Sequence, residues 1–427
     1  MEIYRYPLLK SWPEITKRPF ANHSDKIDTV REVMLNIREN GDDALREYTK
    51  RFDLVDIVDF KVTTEEIEEA IRKVEPELKE AIAIAANNID LFHVAQKIPH
   101  RIIETMPGVK CWQKSVPNEH VGLYIPGGSA PLFSTVLMLG IPALIAGCKN
   151  VVLCTPPDRE GKIHPAILYA ASVCHITEIF KVGGMQAIGA MAYGTESVPK
   201  VEKIFGPGNS WVTAAKQFVA MADCAIDMPA GPSEVAVMAD KSANPSFVAA
   251  DLLSQAEHGP DSQVILVTTD EQLIADVIEN IGLQLKELPR LATATKALEN
   301  SRAILVNDLE EMVGLINFYA PEHLIIATQN AAEIAEEISN AGSVFIGNYS
   351  PESAGDYASG TNHTLPTNGW ARSFSGIGLD SFCKKITFQE ITKEGIQQLG
   401  PTIEKMAEAE QLFAHKNAAT LRMNEEA

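Results

Sequence analysis

Of the ten histidines in this chain, four lie in short segments that also carry a carboxylate, so each segment could move a proton or hold a metal. They are His258 in Asp251-Leu-Leu-Ser-Gln-Ala-Glu-His-Gly-Pro-Asp-Ser-Gln263, His323 in Ala320-Pro-Glu-His-Leu324, His363 in Gly355-Asp-Tyr-Ala-Ser-Gly-Thr-Asn-His-Thr-Leu-Pro366, and His415 in Ala407-Glu-Ala-Glu-Gln-Leu-Phe-Ala-His-Lys-Asn417. If 251–258 is helical, Gln255 and His258 share a face and can converge on one point, with Gly259-Pro260 ending the helix. Alone, such a histidine would only meet the last free carbonyls of its helix. Glu322-His323 offers acid–base chemistry: an imidazole titrates near neutral pH and can take a proton from an alcohol, while the carboxylate steers water or balances charge. An exposed Glu-His pair at a strand entry would read the same way in isolation. The metal donors on offer are the four imidazoles with Asp356, Glu322 and Glu410, each commonplace singly; His415 by itself reads as a solvated helix residue.

Side chains so distant in sequence meet only if the fold gathers their loops. Between residues 121 and 238 short apolar runs end in turn residues: Val121-Gly-Leu-Tyr124 before Ile-Pro-Gly-Gly128, Val151-Val-Leu-Cys154 before Thr-Pro-Pro157, Ile179-Phe-Lys-Val182 before Gly183-Gly184, and Lys203-Ile-Phe205 before Gly206-Pro-Gly-Asn209. Helical segments lie between them, which predicts a parallel, doubly wound α/β unit with ligands at the carboxyl ends of its strands. Glycines there let the backbone approach a pyrophosphate, although tight turns alone would also account for them. The dinucleotide spacing Gly-x-Gly-x-x-Gly is missing, because Gly183-Gly184-Met-Gln-Ala-Ile-Gly189 is spaced differently. A second α/β series follows, with strands near 234–238, 263–267, 303–306, 324–327 and 343–346.

The fold class is therefore α/β, with two Rossmann-like units of mainly parallel sheet. Residues 1–22 read as an arm containing Pro7, Pro13 and Pro19, and 23–120 as a helical region packing with the second α/β unit. His93 and His100 read there as packing or surface residues. The two units are 121–234 and 235–380, and 381–427 is a small tail domain with a short strand at 385–388. A tail that long has to dock to be ordered.

A chain of 427 residues exceeds one core. Its hydrophobic share of 45% and charged share of 22% are those of a globular protein. The net charge of −20 argues against a nucleic-acid partner and mildly favours a cationic substrate. The apolar window 130–148 is broken by Gly140 and Pro142 and reads as a buried helix, so no membrane partner is expected. Met1 to Lys10 shows no export signal, which predicts a cytoplasmic protein. Cys111, Cys148, Cys154, Cys174, Cys224 and Cys383 lie outside the motifs without a Cys-x-x-Cys pair and read as reduced structural groups.

Tyr124-Ile-Pro-Gly-Gly128, Gly206-Pro-Gly-Asn209 and the four histidine segments, in this order and over nearly the whole chain, resemble the histidinol dehydrogenase family. The resemblance implies a zinc- and NAD+-dependent oxidation of L-histidinol through histidinal to L-histidine, closing histidine biosynthesis. It implies one zinc ion per subunit on Gln255, His258, Asp356 and His415, and proton acceptors at Glu322 and His323. NAD+ contacts fall on Tyr124, Gln186 and Asn209. Substrate contacts fall on Ser233, Gln255, His258, His323, Asp356, His363, Glu410 and His415. It also implies a homodimer whose C-terminal tail reaches the partner's site. The residues themselves would not choose Gln255 over Glu257 as a ligand.

Other readings fit part of the pattern. A zinc- and NAD-dependent dehydrogenase of another small alcohol is weighed against by His363, Glu410 and Ala414-His-Lys-Asn417. A zinc hydrolase leaves the glycine-rich strand ends without a purpose. A non-enzymatic metal- or nucleotide-binding regulator leaves the acid–base pair without one.

Overall fold

The computed structural model describes residues 1–19, 26–127, 131–229 and 231–425. Gly128, Ala130 and Ala230 of the motifs above, and residues 20–25 of the expected arm and first helix, lie outside the described residues. The strands are β1 (Glu2–Arg5), β2 (Ile102–Met106), β3 (Val109–Pro117), β4 (His120–Tyr124), β5 (Asn150–Thr155), β6 (Glu178–Lys181), β7 (Lys203–Phe205), β8 (Ala225–Ile226), β9 (Glu234–Ala239), β10 (Gln263–Thr268), β11 (Arg302–Leu305), β12 (His323–Ala327), β13 (Ser343–Ile346) and β14 (Cys383–Ile391). Contacts group them into a large unit, residues 1–95 with 118–382, and a small one, 96–117 with 383–427.

The large unit holds two sheets, a five-stranded one in the order β6-β5-β4-β7-β8 and a six-stranded one in the order β1-β11-β10-β9-β12-β13. Every pairing in both is parallel. Apart from β1, which joins the six-stranded sheet at its edge, the chain in each sheet starts at an inner strand, winds outward to one side, and returns to wind the other way. The reversals fall between β4 and β7 and between β9 and β12. Strands β9, β10 and β12 are buried along their whole length, as parallel strands covered on both faces must be. Separate apolar cores fill the two faces of each sheet.

The five expected strands of the second series are present, and the apolar window around Gly140 is the buried helix Phe133–Ala146. Among the described residues no helix is long and apolar enough to cross a membrane. Three expectations need correction. The arm is partly strand, since β1 adds to β11 as a parallel edge. The early helices pack mainly on the first sheet's layer: Ile27–Tyr48 lies on Gly184–Tyr193 and Ser210–Ala220, and Pro76–Val94 lies on Phe133–Ala146, touching the second unit through Asn88, which donates to the Ala358 carbonyl at 2.9 Å. The reason is local shape, because Ile37 packs where Gly189 lacks a side chain, and a Cβ on Gly189 would stand 2.8 Å from the Ile37 terminal carbon. Finally, residues 102–117 are strand, and β2 and β3 form an antiparallel sheet with β14 in the small unit, ordered β14-β3-β2. Trp112 stacks on Phe388 across it.

Gly206, directly after β7, has φ +124°, and a Cβ there would lie 2.1 Å from the Tyr124 carbonyl oxygen. The two loops at the first sheet's reversal therefore touch backbone to backbone. Gly206→Ala is expected to lower stability by at least about 1–3 kcal/mol, from backbone strain before the clash is counted. The measurement is a fall in the urea midpoint at unchanged m-value. Gly282, in helix Glu271–Gln284 with nothing within 4 Å of its Cβ position, serves as the control that tolerates alanine.

Candidate active site

Helix Pro245–Ala256 ends earlier than the sequence suggested, with Glu257 as its cap. His258 sits on the turn beyond, its amide donating to the Gln255 carbonyl at 3.2 Å. The relation of the two side chains survives, because that turn continues the helical path. Gln255 is buried and His258 is exposed.

Ser233 and Glu234 lie at the amino end of β9, and Glu322 and His323 at the amino end of β12. Parallel register sets His323 beside Val235. The Glu322 carboxylate accepts the Glu234 amide at 2.9 Å, so the pair is fixed by main chain as well as by burial. Gln255 Nε2 donates to the Glu234 carbonyl at 3.2 Å and lies 3.1 Å from His323 Nδ1. His323 Nε2 is 3.5 Å from Asp356 Oδ1, and Nδ1 is 3.6 Å from Glu322 Oε2. Burial pulls the His323 pKa down, but Glu322, Glu352 and Asp356 outweigh it and hold the imidazole well above its ordinary range. His363 Nδ1 donates to the Asp356 carbonyl at 2.9 Å, its Nε2 lies 3.1 Å from Thr135 Oγ1, and burial lowers its pKa.

Ser233, Gln255, His258, Glu322, His323, Asp356 and His363 line one cavity of about 430 Å³, which Asn209 also borders. Its first-sheet wall is made by the loops after β4 and β7, its second-sheet wall by the amino ends of β9 and β12. The carboxyl-end rule for doubly wound sheets thus holds for one sheet and is inverted in the other. Asn209 also caps helix Ser210–Ala220, its Oδ1 accepting two amides.

Tyr124 and Gln186 do not line that cavity. Tyr124 Oη accepts the Gly184 amide at 3.1 Å, and Gln186 Nε2 donates to Asp53 Oδ2 at 3.0 Å. Asp53 borders a second cavity of about 750 Å³, together with Gly127, Pro156 and Pro157 from the strand ends. Burial pushes its carboxyl up to about 6. Glu410 caps helix Lys393–Ala409, and His415 lies in helix Phe413–Met423; both are exposed, and both belong to the small unit.

Sequence reasoning missed Glu352 and Asp53. Glu352 opens helix Glu352–Tyr357, one turn before Asp356, and the two share a face. In the sequence Glu352 shows only as a glutamate after Pro351, four residues before Asp356. Donor atoms of His258, Glu352 and Asp356 lie within 4.8 Å of one another. Gln255 Oε1 and Glu352 Oε1 are buried without a hydrogen-bond partner. Free nitrogen and oxygen donors around one point suit a divalent cation. For a nucleotide, the fit is the buried free Oε1 of Gln186 and the glycine-lined backbone at Gly206.

A buried Glu-His pair where the strand ends of two doubly wound sheets meet is the architecture of an α/β enzyme with a divided site, one wall from each sheet. The family model for histidinol dehydrogenase matches residues 16–423. A histidinol dehydrogenase of Bacteroides thetaiotaomicron is 60% identical over 424 residues, 99% of each chain. That of Escherichia coli (strain K12) is 56% identical over 414 residues, 96% of this chain and 94% of that one. The crystal structure of histidinol dehydrogenase from Elizabethkingia anophelis superposes with a TM-score of 0.97 at 57% identity, covering 99% of this chain and 98% of that chain. The chain belongs to the histidinol dehydrogenase family.

The site's floor depends on an ion pair behind it. Arg18 donates to Glu234 Oε1 at 2.9 Å and to the Tyr319 carbonyl at 2.8 Å, with its guanidinium 4.0 Å from the Tyr319 ring centre. Arg18→Met is expected to cost roughly 3–5 kcal/mol, because it strands a buried carboxylate. Urea unfolding measures it; a change under about 1 kcal/mol would show that Glu234 is satisfied without arginine.

Proposed function

We propose that the protein oxidises L-histidinol to L-histidine through histidinal, reducing two NAD+ per substrate, with one zinc ion per subunit. The observation that carries this is the convergence of Ser233, Gln255, His258, Glu322, His323, Asp356 and His363 on one cavity, in a chain of this family. Gln255, His258 and Asp356 would hold the metal together with His415. Tyr124, Gln186 and Asn209 would bind the coenzyme, with Asp53 orienting the Gln186 amide. Zinc would fix and polarise the substrate's nitrogen and oxygen atoms, and NAD+ would accept the hydride.

The chain's own residues do the proton work. With its carboxylate neighbours drawn towards a cation, a neutral His323 would keep its proton on Nδ1, beside the Glu234 carbonyl at 3.4 Å and the Glu322 carboxylate at 3.6 Å, and accept the hydroxyl proton through Nε2. Glu322, anchored by the Glu234 amide, then orients water towards the aldehyde, giving the hydrate whose oxidation yields the carboxylate. Ser233 and His363 position the substrate, and Glu410 accepts from its imidazole. Glu410 and His415 would come from the partner subunit of a homodimer. Support lies in their exposure and in the exposed Met406, Leu412 and Phe413 beside them, the apolar surface that a subunit interface covers. A cytoplasmic location suits a soluble coenzyme.

Counting NADH formed per L-histidinol consumed by zinc-loaded protein tests the reading. The expected ratio is two, lost on chelation and restored by zinc. A ratio of one would make the protein an alcohol-to-aldehyde enzyme, and absent turnover would favour the other-alcohol reading. Glu322→Gln should slow the second oxidation far more than the first in single-turnover experiments; equal slowing of both would remove its assignment to the water step.

A further inference from the structure

A buried ion pair lies behind the loop Gly206-Pro-Gly-Asn209 and takes no part in the chemistry above. Lys216 Nζ stands 2.5 Å from Asp227 Oδ1, with both side chains almost fully buried. Lys216 belongs to helix Ser210–Ala220, whose Val212, Ala215 and Val219 sit in an apolar core, and Asp227 directly follows β8. The two hold one residue of the loop from either side. Asp227 Oδ2 accepts the Gly206 amide at 2.8 Å, and Lys216 Nζ donates to the Gly206 carbonyl, also at 2.8 Å. Asp227 Oδ1 accepts the Met228 amide at 2.7 Å as well.

Folding alone does not call for charges here. A buried ion pair gains little over apolar side chains of the same volume, because both groups lose their water. What apolar side chains could not do is supply partners to the amide and carbonyl of Gly206, a buried residue. At φ +124° Gly206 has left the strand and has not yet entered the helix, so side chains serve both groups. Asn209 caps the helix that carries Lys216, and the Lys216 bond to Gly206 closes residues 206–216 into a ring. Pro207, Gly208 and Asn209, the rest of the loop, line the cavity of about 430 Å³, whereas Lys216 and Asp227 do not.

We propose that Lys216 and Asp227 are positioning residues for the coenzyme, an inference that rests on the coenzyme reading of Asn209 above. By fixing the amide and carbonyl of Gly206 from behind, they hold Pro207, Gly208 and Asn209 in the one loop conformation that receives NAD+. A loop held in advance loses no conformational freedom when the coenzyme binds, so the pair acts on coenzyme affinity. The substrate and metal residues lie on the second sheet's side of the cavity and do not depend on it. A pair kept only to balance charge in the fold would act on stability alone.

The experiment titrates NADH, followed by its fluorescence, into wild-type protein, Lys216→Met, and the double variant Lys216→Met with Asp227→Asn. Melting temperature, zinc content and the KM values for NAD+ and L-histidinol are measured alongside. Lys216→Met strands a buried carboxylate and removes the donor to Gly206; the double variant restores charge balance but not that donor. Both are expected to bind NADH roughly fivefold or more weakly, as loss of a hydrogen bond from a charged donor implies, and to raise KM for NAD+ in step. KM for L-histidinol and zinc content should stay within about twofold of wild type. The double variant should regain melting temperature that the single one loses, without regaining affinity. NADH affinity within about twofold of wild type in the double variant overturns the proposal, as does a rise in KM for L-histidinol as large as that for NAD+. Should neither variant fold, Lys216→Arg, which keeps the charge but replaces a point donor with a larger planar fork, decides by the same criteria. Wild-type protein that binds no NADH overturns the coenzyme reading and this proposal with it, whereas wild-type binding matched by the variants overturns this proposal alone.

Discussion

The β9–β12 pairing is the constraint on which the site depends. His323 and Glu322 occupy the first turn of chain into β12, and register with β9 sets His323 opposite Val235 while the Glu234 amide reaches the Glu322 carboxylate. Side chains alternate faces along a strand, so a slip of one residue would turn His323 away and break that hydrogen bond together. The register is secured by burial: β9 and β12 are apolar on both faces, and any slip would move fixed volumes in two cores at once. The geometry of the Glu322-His323 pair is thus a by-product of sheet packing, not of the short loop that bears it.

That economy comes with an electrostatic cost. The same strand ends carry Glu234 and Glu322, and helix Glu352–Tyr357 brings Glu352 and Asp356 towards the same imidazole. Among the described residues, only Glu234 of these has a guanidinium beside it, from Arg18. Of the others, Glu322 and Asp356 lie within 3.6 Å of His323, while burial pushes the Glu352 carboxyl up to about 8. A chain carrying −20 overall adds a background of the same sign, felt weakly across solvent and strongly within the cavity. Strain of this kind is stored where function requires it and offset by apolar packing elsewhere.

What could be read from the sequence follows from the range of the interactions involved. The strands at 234–239, 263–268 and 323–327 were legible because each is a continuous apolar run bounded by turn residues. Glu322-His323 was legible because its chemistry is local. Glu352 was not, since a lone glutamate after proline is ordinary until tertiary contacts bury it. Asp53 likewise gains meaning only from Gln186, far along the chain. The strand pair at 102–117 escaped notice because its partner, β14, lies beyond both large sheets in sequence, and exposed strands carry a weak pattern. The helix at 27–48 announced its amphipathic face but not which sheet it would cover; that was decided by the notch at Gly189.

The inversion between the two sheets explains why motifs spread over the chain can serve one reaction. At the first sheet's reversal, the carboxyl ends of β4 and β7 present backbone and glycine, which suit an extended anionic coenzyme. At the second sheet's reversal, the amino ends of β9 and β12 present side chains fixed by main-chain amides, which suit proton transfer and cation binding. The two cavities meet the same loop after β4 from different residues, Pro126 and Leu132 on one side and Gly127 and Pro131 on the other. A ligand passing that loop would have one end beside Asp53, Gly127 and Pro156 and the other beside His323. Each sheet then supplies what its strand polarity makes available, and neither alone could hold both ends.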